Sequence, residues 1–121
     1  MAVKVLAIDD SRTMRDLLAI SLAEAGFEIA LAEDGKDGLE KLHDANPDVV
    51  ITDINMPRLD GFGVIEAIRA NPDHSHTPIL VLTTEGSTEM KARARDAGAT
   101  GWIIKPFDDA ALAAAIHKVT S

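Results

Sequence analysis

The sequence predicts an α/β fold in which five β-strands alternate with five α-helices. Short β-branched apolar runs recur along the chain, and longer segments with a helical apolar period separate them. Such alternation is typical of a parallel sheet with right-handed crossovers and helices on both faces. Because 121 residues suffice for one hydrophobic core, we expect a single domain spanning 1–121.

The predicted strands differ in pattern, and the pattern predicts their places in the sheet. They cover residues 3–8, 27–31, 48–52, 79–83 and 101–104. The first, third and fourth are continuous apolar runs, which is typical of strands buried on both faces. The second alternates, and the fifth is short and ends before Lys105, so both are predicted at the edges. This matches the flavodoxin-like order 2-1-3-4-5, with a ligand crevice between strands 1 and 3.

Apolar residues at helical spacing predict the helices. The face of the first, over 11–25, is predicted to consist of Met14, Leu17, Leu18, Leu22 and Ala25. Helices over 87–97 and 108–120 follow the fourth and fifth strands, and the 87–97 helix has so few apolar residues that we expect it to be the least firmly packed. Predicted N-caps and helix ends are Ser11, Ser87, Asp108, Gly26 and Gly98.

Composition excludes several function classes. The formal charge of -8 opposes binding to nucleic acid and to anionic lipid, and 3% aromatic residues cannot form a base-stacking platform. The chain has no cysteine, which excludes disulfides, thiolate metal sites and cysteine nucleophiles. No apolar run approaches the roughly 20 residues that span a bilayer, and no secretory leader is recognisable. We therefore expect a cytoplasmic protein without membrane insertion.

Polar residues follow four of the predicted strands. They are Asp9 and Asp10, then Asp53, then Thr83 and Thr84, and finally Lys105. Because ligands of such sheets bind beyond the carboxyl ends of the strands, we expect these side chains to converge on one rim.

The residue types on this rim point to phosphoryl transfer onto an aspartate. Three clustered carboxylates repel one another, and Mg²⁺, which prefers oxygen ligands, would relieve the repulsion. The set lacks the nitrogen and sulfur ligands typical of zinc or iron. One carboxylate can then attack phosphorus and form an aspartyl phosphate. Thr83 can donate a hydrogen bond to a phosphoryl oxygen, and Lys105 can neutralise its charge.

These residues resemble the receiver domain of two-component response regulators. The matching segments are Asp9-Asp10, Asp53 at the start of 53–61, Thr83, and Lys105-Pro106-Phe107, and they extend over nearly the whole chain. The resemblance implies that Asp53 is the phosphoacceptor and that Thr83 and Lys105 contact the phosphoryl group. It also implies a cis peptide bond between Lys105 and Pro106.

The resemblance further implies a metal site and a partner set. Asp10, Asp53 and the Asn55 backbone carbonyl would hold Mg²⁺, with Asp9 acting through water. Asn55, Met56 and Glu85 are most similar to those of CheY-like single-domain chemotaxis regulators. That implies a monomeric receiver over 1–121 without an output domain, a CheA-like histidine kinase as donor, and a protein target such as the flagellar motor switch. Such a chain catalyses its own phosphorylation and dephosphorylation and is not a dedicated enzyme.

The resemblance implies that three residues set the rate of dephosphorylation and that two change conformation on phosphorylation. Asn55, Thr84 and Glu85 would lie near the attacking water, and Thr84 departs from the alanine usual in the CheY-like group. Trp102 replaces a tyrosine that acts as a switch in that group. We expect Thr83 and Trp102 to move together and to alter the face made by 87–97, strand 5 and 108–120.

Alternative interpretations remain at this point. A small phosphatase of the haloacid-dehalogenase type also uses an aspartate nucleophile, but it requires Asp-x-Asp after strand 1, where this chain has Asp9-Asp10-Ser11. A flavin binder would need a phosphate-binding loop there instead of acidic residues. Within the family, the chain would alternatively serve as a phosphate sink or as a phosphorelay intermediate. Asp10 is alternatively a simple helix cap, and Trp102 a packed edge residue without switching. His74 and His76 are expected to be solvated.

Overall fold

The structure is a computed structural model that describes residues 2–121. Its five strands are β1 (Lys4–Ile8), β2 (Glu28–Ala32), β3 (Val49–Thr52), β4 (Ile79–Thr83) and β5 (Gly101–Ile104). Its five helices are α1 (Arg12–Glu24), α2 (Gly35–Ala45), α3 (Gly61–Ala70), α4 (Thr88–Ala97) and α5 (Asp109–Thr120). The predicted bounds of β4 and β5 are reproduced, and the other three strands each begin one residue later than predicted.

The strands form one parallel sheet in the order β2-β1-β3-β4-β5, as predicted. β2 and β5 are the edges, and the residues of β3 and β4 are buried throughout. Ile8 pairs with Thr52 at the ends of β1 and β3. The next residue of each strand therefore lies at the same height, at the point where the strand order reverses.

Two apolar layers hold the helices on the sheet. One layer joins the sheet to α2, α3 and α4, with Leu42, Ile65 and Ala94 among its buried members. The other joins it to α1 and α5, through residues such as Leu18 and Ile116. Burial on both faces explains the continuous apolar runs of the central strands. No helix among residues 2–121 is long and apolar enough to cross a membrane.

Each helix begins at a polar side chain that accepts a hydrogen bond from an amide of its first turn. These N-caps are Ser11, Asp34, Asp60, Ser87 and Asp108. Such caps satisfy backbone donors that have no partner inside the helix, and each contributes about 1 kcal/mol. The predictions for Ser11, Ser87 and Asp108 are confirmed.

Two glycines end helices as predicted, because the chain there adopts a left-handed conformation. Gly98 caps α4 with φ at 116°, and Gly26 follows the C-cap of α1 with φ at 89°. Glycine adopts this conformation without the steric cost of a β-carbon.

The predicted face of α1 is wrong at two positions. Leu17 is 49% exposed, although Leu18 and Leu22 are buried. With a rotation of about 100° per residue, Leu17 lies about 90° from the centre of the buried stripe. Ala25 is exposed because it is the C-cap of α1. Leu17 and the exposed Ile20 instead line a shallow groove with Phe107.

The loop before β4 also differs from expectation. His74 is buried, with 5% exposure, whereas His76 is exposed as predicted. The loop folds back on itself, since the His74 amide donates to the Asn71 carbonyl and the His74 carbonyl accepts from Thr77. The prediction of a loosely packed α4 is confirmed, because Ala94 is the single buried residue of that helix.

Candidate functional site

Asp9, Asp10, Asp53 and Lys105 lie together beyond the carboxyl ends of the strands, as predicted. Strand pairing continues one residue past the strands, so that the amide of Asp53 donates to Ile8 (3.0 Å) and that of Lys105 donates to Thr83 (2.8 Å). The Asp9 amide pairs in the same way with Ala32 of β2 (3.0 Å). The parallel sheet thus fixes the backbone from which Asp9, Asp53 and Lys105 project.

Lys105 bridges two of the carboxylates. Its Nζ donates to Asp9 Oδ2 at 2.7 Å and to Asp53 Oδ2 at 2.6 Å. The Lys105 side chain is 10% exposed and the two carboxylates are 2% and 11% exposed. Each carboxylate also accepts an amide, Asp9 Oδ1 from Ser11 (2.9 Å) and Asp53 Oδ1 from Ile54 (2.6 Å). The arrangement holds both carboxylates in defined orientations.

Burial and the hydrogen bonds of Lys105 have opposite effects on the pKa values in this cluster. Burial raises the pKa of Asp9, and the hydrogen bond from Lys105 offsets this only in part. Burial favours the neutral form of Lys105, but its hydrogen bonds to Asp53 and Asp9 outweigh that effect and raise its pKa. The ammonium therefore stays charged and serves as the counterion of the buried acids.

Asp10 supplies the third carboxylate of the cluster. Carboxylate oxygens of Asp9, Asp10 and Asp53 all lie within 4.8 Å of one another. Asp10 is exposed, and Ser11 rather than Asp10 caps α1, so helix capping does not explain the acid at position 10. A set of hard oxygen donors open to solvent on one side suits Mg²⁺, which keeps several of its waters.

The electrostatics of the cluster predict opposite effects of Asp10→Asn with and without metal. Loss of one charge relieves repulsion, and the metal-free fold is expected to gain up to about 1 kcal/mol. Mg²⁺ should stabilise the variant less than the wild type, because one ligand is weakened. Thermal unfolding with and without Mg²⁺ measures both effects, with the exposed Asp16→Asn on α1 as control. Equal Mg²⁺-induced shifts in wild type and Asp10→Asn would contradict a shared cation site.

Thr83 and Trp102 are connected through the backbone of Glu85. Thr83 is buried, and its Oγ1 accepts a long hydrogen bond from the Glu85 amide at 3.4 Å. The indole Nε1 of Trp102 donates to the Glu85 carbonyl at 2.9 Å. A buried hydroxyl at the carboxyl end of β4 is thereby connected to a half-buried indole at the edge of the sheet.

The remaining predicted residues follow two of the central strands. Asn55 and Thr84 are exposed and Glu85 is half-buried. They stand on the loops after β3 and β4, and their proposed part in dephosphorylation stays a prediction. The Lys105-Pro106 peptide bond is cis, as the resemblance implies.

Two contacts near the site had not been predicted from the sequence. Arg58, within the segment 53–61, binds Asp34 through both carboxylate oxygens. Arg15 of α1 donates to the Asp9 carbonyl at 2.8 Å. The repeated dipeptide Asp34-Gly35 and Asp60-Gly61 marks the starts of two helices, but no sequence signal connects Arg58 with Asp34.

Comparison with known proteins agrees with this geometry. A family model described as the response regulator receiver domain matches residues 5–117. The chain belongs to this family. Receiver domains are signalling modules rather than dedicated enzymes, and the expectation for this chain is confirmed at that level.

Individual relatives of this receiver domain include both single-domain and longer proteins. The chemotaxis protein CheY of Pseudomonas aeruginosa is 37% identical over 117 residues, which cover 96% of this chain and 94% of that protein. A probable transcriptional regulator, ycf27 of Guillardia theta, is 39% identical over 116 residues, but this chain spans only 44% of its length. Among solved structures, the chemotaxis protein CheY4 of Vibrio cholerae superposes with a TM-score of 0.94 at 42% identity, covering 98% of this chain and 99% of that one.

Proposed function

We propose that this receiver domain is a phosphoacceptor in which Asp53 takes a phosphoryl group from a histidine kinase. The observation that carries the proposal is the Asp53 carboxylate itself. It stands at the end of a central strand, is held by a buried ammonium at 2.6 Å, and lies within 4.8 Å of two further carboxylates. A nucleophile, a charge-neutralising cation and a hard-donor cluster are the parts that aspartyl phosphate formation requires.

The chemistry divides into two steps at Asp53. In the first, a carboxylate oxygen attacks phosphorus, the new P–O bond forms, and the P–N bond to the donor imidazole breaks with its electron pair on nitrogen. Lys105 then neutralises a phosphoryl oxygen, and the Thr83 hydroxyl donates to another. In the second step water attacks phosphorus and the bond to Asp53 breaks. The carboxylate and inorganic phosphate are released, and both protons of the water end on the phosphate as dihydrogen phosphate.

Mg²⁺ is part of this proposal because the residues present fit it. Asp10 and Asp53 would hold the ion with the Asn55 backbone carbonyl, and Asp9 would act through water. When bound, the ion would screen the repulsion between the attacking carboxylate and the phosphoryl oxygens. Asn55, Thr84 and Glu85 then border the approach of the hydrolytic water and would set the lifetime of the phosphorylated form.

Incubation with a small acyl phosphate tests the proposal. The expected result is addition of one phosphoryl group, seen by intact-mass analysis, only when Mg²⁺ is present. The label should decay after the donor is removed and should be sensitive to hydroxylamine, as acyl phosphates are. A wild-type protein that stays unlabelled with Mg²⁺ and excess donor would refute acceptor chemistry. Rapid turnover of many phosphate esters would instead favour the haloacid-dehalogenase-type phosphatase.

Within two-component signalling, we assign the chain to chemotaxis. CheY of P. aeruginosa and CheY4 of V. cholerae align with it over nearly their whole lengths. The proposed donor is a CheA-like histidine kinase, and the proposed target a flagellar motor switch protein. Two alternative roles have different outcomes. A phosphorelay intermediate would pass its phosphoryl group to another protein, and a phosphate sink would lose the group without binding a target.

Signal output is proposed to run from Thr83 through Glu85 to Trp102. When Thr83 turns to the phosphoryl group, its long hydrogen bond to the Glu85 amide is lost, and the loop is free to move. Trp102, bound to the same residue, responds to that movement. The neighbouring α4 has a single buried residue, so the face formed by α4, β5 and α5 has little apolar packing there to resist it. Partners that prefer the altered face would then select the phosphorylated form.

Trp102 makes this coupling measurable because it is the sole tryptophan. Acyl phosphate with Mg²⁺ is expected to change its fluorescence and to increase or decrease amide exchange in α4, while α1 stays unchanged. Asp53→Asn, treated in the same way, should show neither change. Stoichiometric phosphorylation with constant fluorescence and constant exchange would show that Trp102 is an edge-packing residue without a switching role.

A further inference from the structure

The loop between β3 and α3, residues 53–60, contains a strained turn. Arg58 has φ at 67°, a left-handed value that is uncommon for a residue with a side chain. The Leu59 amide donates to the Pro57 carbonyl at 2.8 Å, which makes Arg58 the centre of a γ-turn. The form of this turn with positive φ is rare and strained. Contacts outside the turn must therefore offset its cost.

The Arg58 side chain provides such a contact. Its Nε donates to Asp34 Oδ2 at 2.6 Å and its Nη2 to Asp34 Oδ1 at 2.9 Å. This paired geometry is the strong, directional form of an arginine–carboxylate interaction. The Asp34 side chain is 6% exposed. The hydrogen bonds from Arg58 lower the pKa of Asp34, so the acid stays ionised at neutral pH.

The other side of this contact is rigid. Asp34 caps α2 by accepting the Asp37 amide at 2.8 Å. The backbone of the loop lies directly on α2, since a β-carbon at Gly35 would overlap the Leu59 carbonyl. A β-carbon at Gly38 would in turn overlap the side chain of Ile8 in β1. The amino end of α2 is thus packed on the central sheet and supports the loop.

The same loop determines where the acceptor carboxylate points. Asp53 Oδ1 is fixed by the Ile54 amide at 2.6 Å, and the Ile54 carbonyl accepts from Gly61 at 2.8 Å. A shift of the turn at Arg58 would disturb the hydrogen bond between Gly61 and the Ile54 carbonyl. It would also move the backbone of Asn55, which lies in the same loop. Among residues 2–121, no strand of the sheet pairs with the loop at Arg58.

We propose that Arg58 is a positioning residue, which through its paired hydrogen bonds to Asp34 holds the loop 53–60 in the geometry that Mg²⁺ binding at Asp53 needs. The inference rests on the proposed function of Asp53. Within residues 2–121, the side chain of Arg58 forms hydrogen bonds with Asp34 and with none of the three acids of the cluster. Its effect is expected on metal affinity more than on stability, because the paired hydrogen bonds mainly offset the backbone strain that Arg58 itself introduces.

The substitution Arg58→Gly separates positioning from stability. Glycine accepts the left-handed backbone without strain, and this relief offsets the lost contact to Asp34, so the free energy of unfolding should change by less than about 1 kcal/mol. The contact to Asp34 is lost, and the dissociation constant for Mg²⁺ should increase on the order of 10-fold, the lower end for groups that orient metal ligands. Removal of a positive charge does not weaken the binding of a cation, so a weaker affinity for Mg²⁺ cannot come from charge alone.

The experiment compares wild type, Arg58→Gly, Arg58→Asn and Arg58→Lys. Metal-free protein is titrated with Mg²⁺ by calorimetry, urea unfolding gives stability, and hydrogen exchange reports the amides of 54–61 without metal. Asparagine also tolerates the left-handed turn and should weaken Mg²⁺ binding as glycine does. Lysine keeps the charge and one hydrogen bond and should recover part of the affinity. Saturating Mg²⁺ should restore the labelling rate of all variants.

Two results would overturn the inference. Wild-type Mg²⁺ affinity and loop exchange in both Arg58→Gly and Arg58→Asn would show that the contact positions nothing. Parallel losses of stability and affinity in Arg58→Gly would reduce the contact to a structural role. Either result leaves acceptor chemistry intact if the wild type is still labelled at Asp53. Failure of the wild type to be labelled would instead refute the proposed function.

Discussion

Asp53→Asn is expected to reduce labelling by a small acyl phosphate to background, while the protein stays folded. The amide lacks the anionic oxygen that attacks phosphorus, and no other carboxylate occupies its position at the end of β3. The change is nearly isosteric, and Lys105 keeps Asp9 as a partner at 2.7 Å. We therefore expect complete loss of acceptor function without loss of structure.

Intact-mass analysis of the variant with donor and Mg²⁺ measures the loss, and far-ultraviolet circular dichroism confirms the fold. Asp96→Asn is a matched control, because Asp96 is an exposed aspartate on α4. It should label at the wild-type rate. Full labelling of Asp53→Asn would place the acceptor elsewhere and would end the assignment of Asp53.

Lys105→Met is expected to cause the largest loss of stability of the changes considered. It leaves the carboxylates of Asp9 and Asp53, 2% and 11% exposed, without their shared cation. Breaking a buried ion pair by removing one partner costs about 3–5 kcal/mol, because the remaining charge is desolvated and unpaired. Mg²⁺ should recover part of this loss, because the ion would neutralise the same acids.

The loss of stability in Lys105→Met should depend on pH, and the pKa of Asp9 determines the direction. Burial already raises the pKa of Asp9 above 3.8, and loss of the ammonium removes the main opposing hydrogen bond. An acid whose pKa is raised on folding contributes stability below its unfolded pKa, and that contribution is lost as the pH rises through the folded value. Lys105→Met should therefore lose less stability at mildly acidic pH than at neutral pH.

Urea unfolding of wild type and variant at both pH values, with and without Mg²⁺, measures this pattern. Lys36→Met, which removes an exposed lysine of α2, is the control and should change stability by less than about 0.5 kcal/mol. A loss below about 1 kcal/mol for Lys105→Met at neutral pH would show that solvent, and not the ammonium, neutralises the acids.

The predictions from sequence succeeded where a local pattern has a single structural meaning. Continuous apolar runs identified the central strands, and the dipeptide Asp9-Asp10 directly after the first of them placed acids at the rim. Capping residues succeeded for the same reason, since Ser87 bonds an amide only three residues away. The prediction for Leu17 was wrong because apolar spacing defines an arc of a helix, and only the neighbouring elements decide how wide an arc is covered.

The sequence by itself determined the βα order, the central and edge strands, and which side chains stand at the carboxyl ends, because short-range periodicity and strand polarity suffice for these features. The convergence of the acids and Lys105 on one rim followed from the sequence, but only the tertiary structure decided which charged atoms bond directly. Lys105 reaches Asp9 across 96 residues and Arg58 reaches Asp34 across 24 residues. Such pairs depend on the packing of α2 and on the exact height of neighbouring strands, and no spacing along the chain encodes those distances.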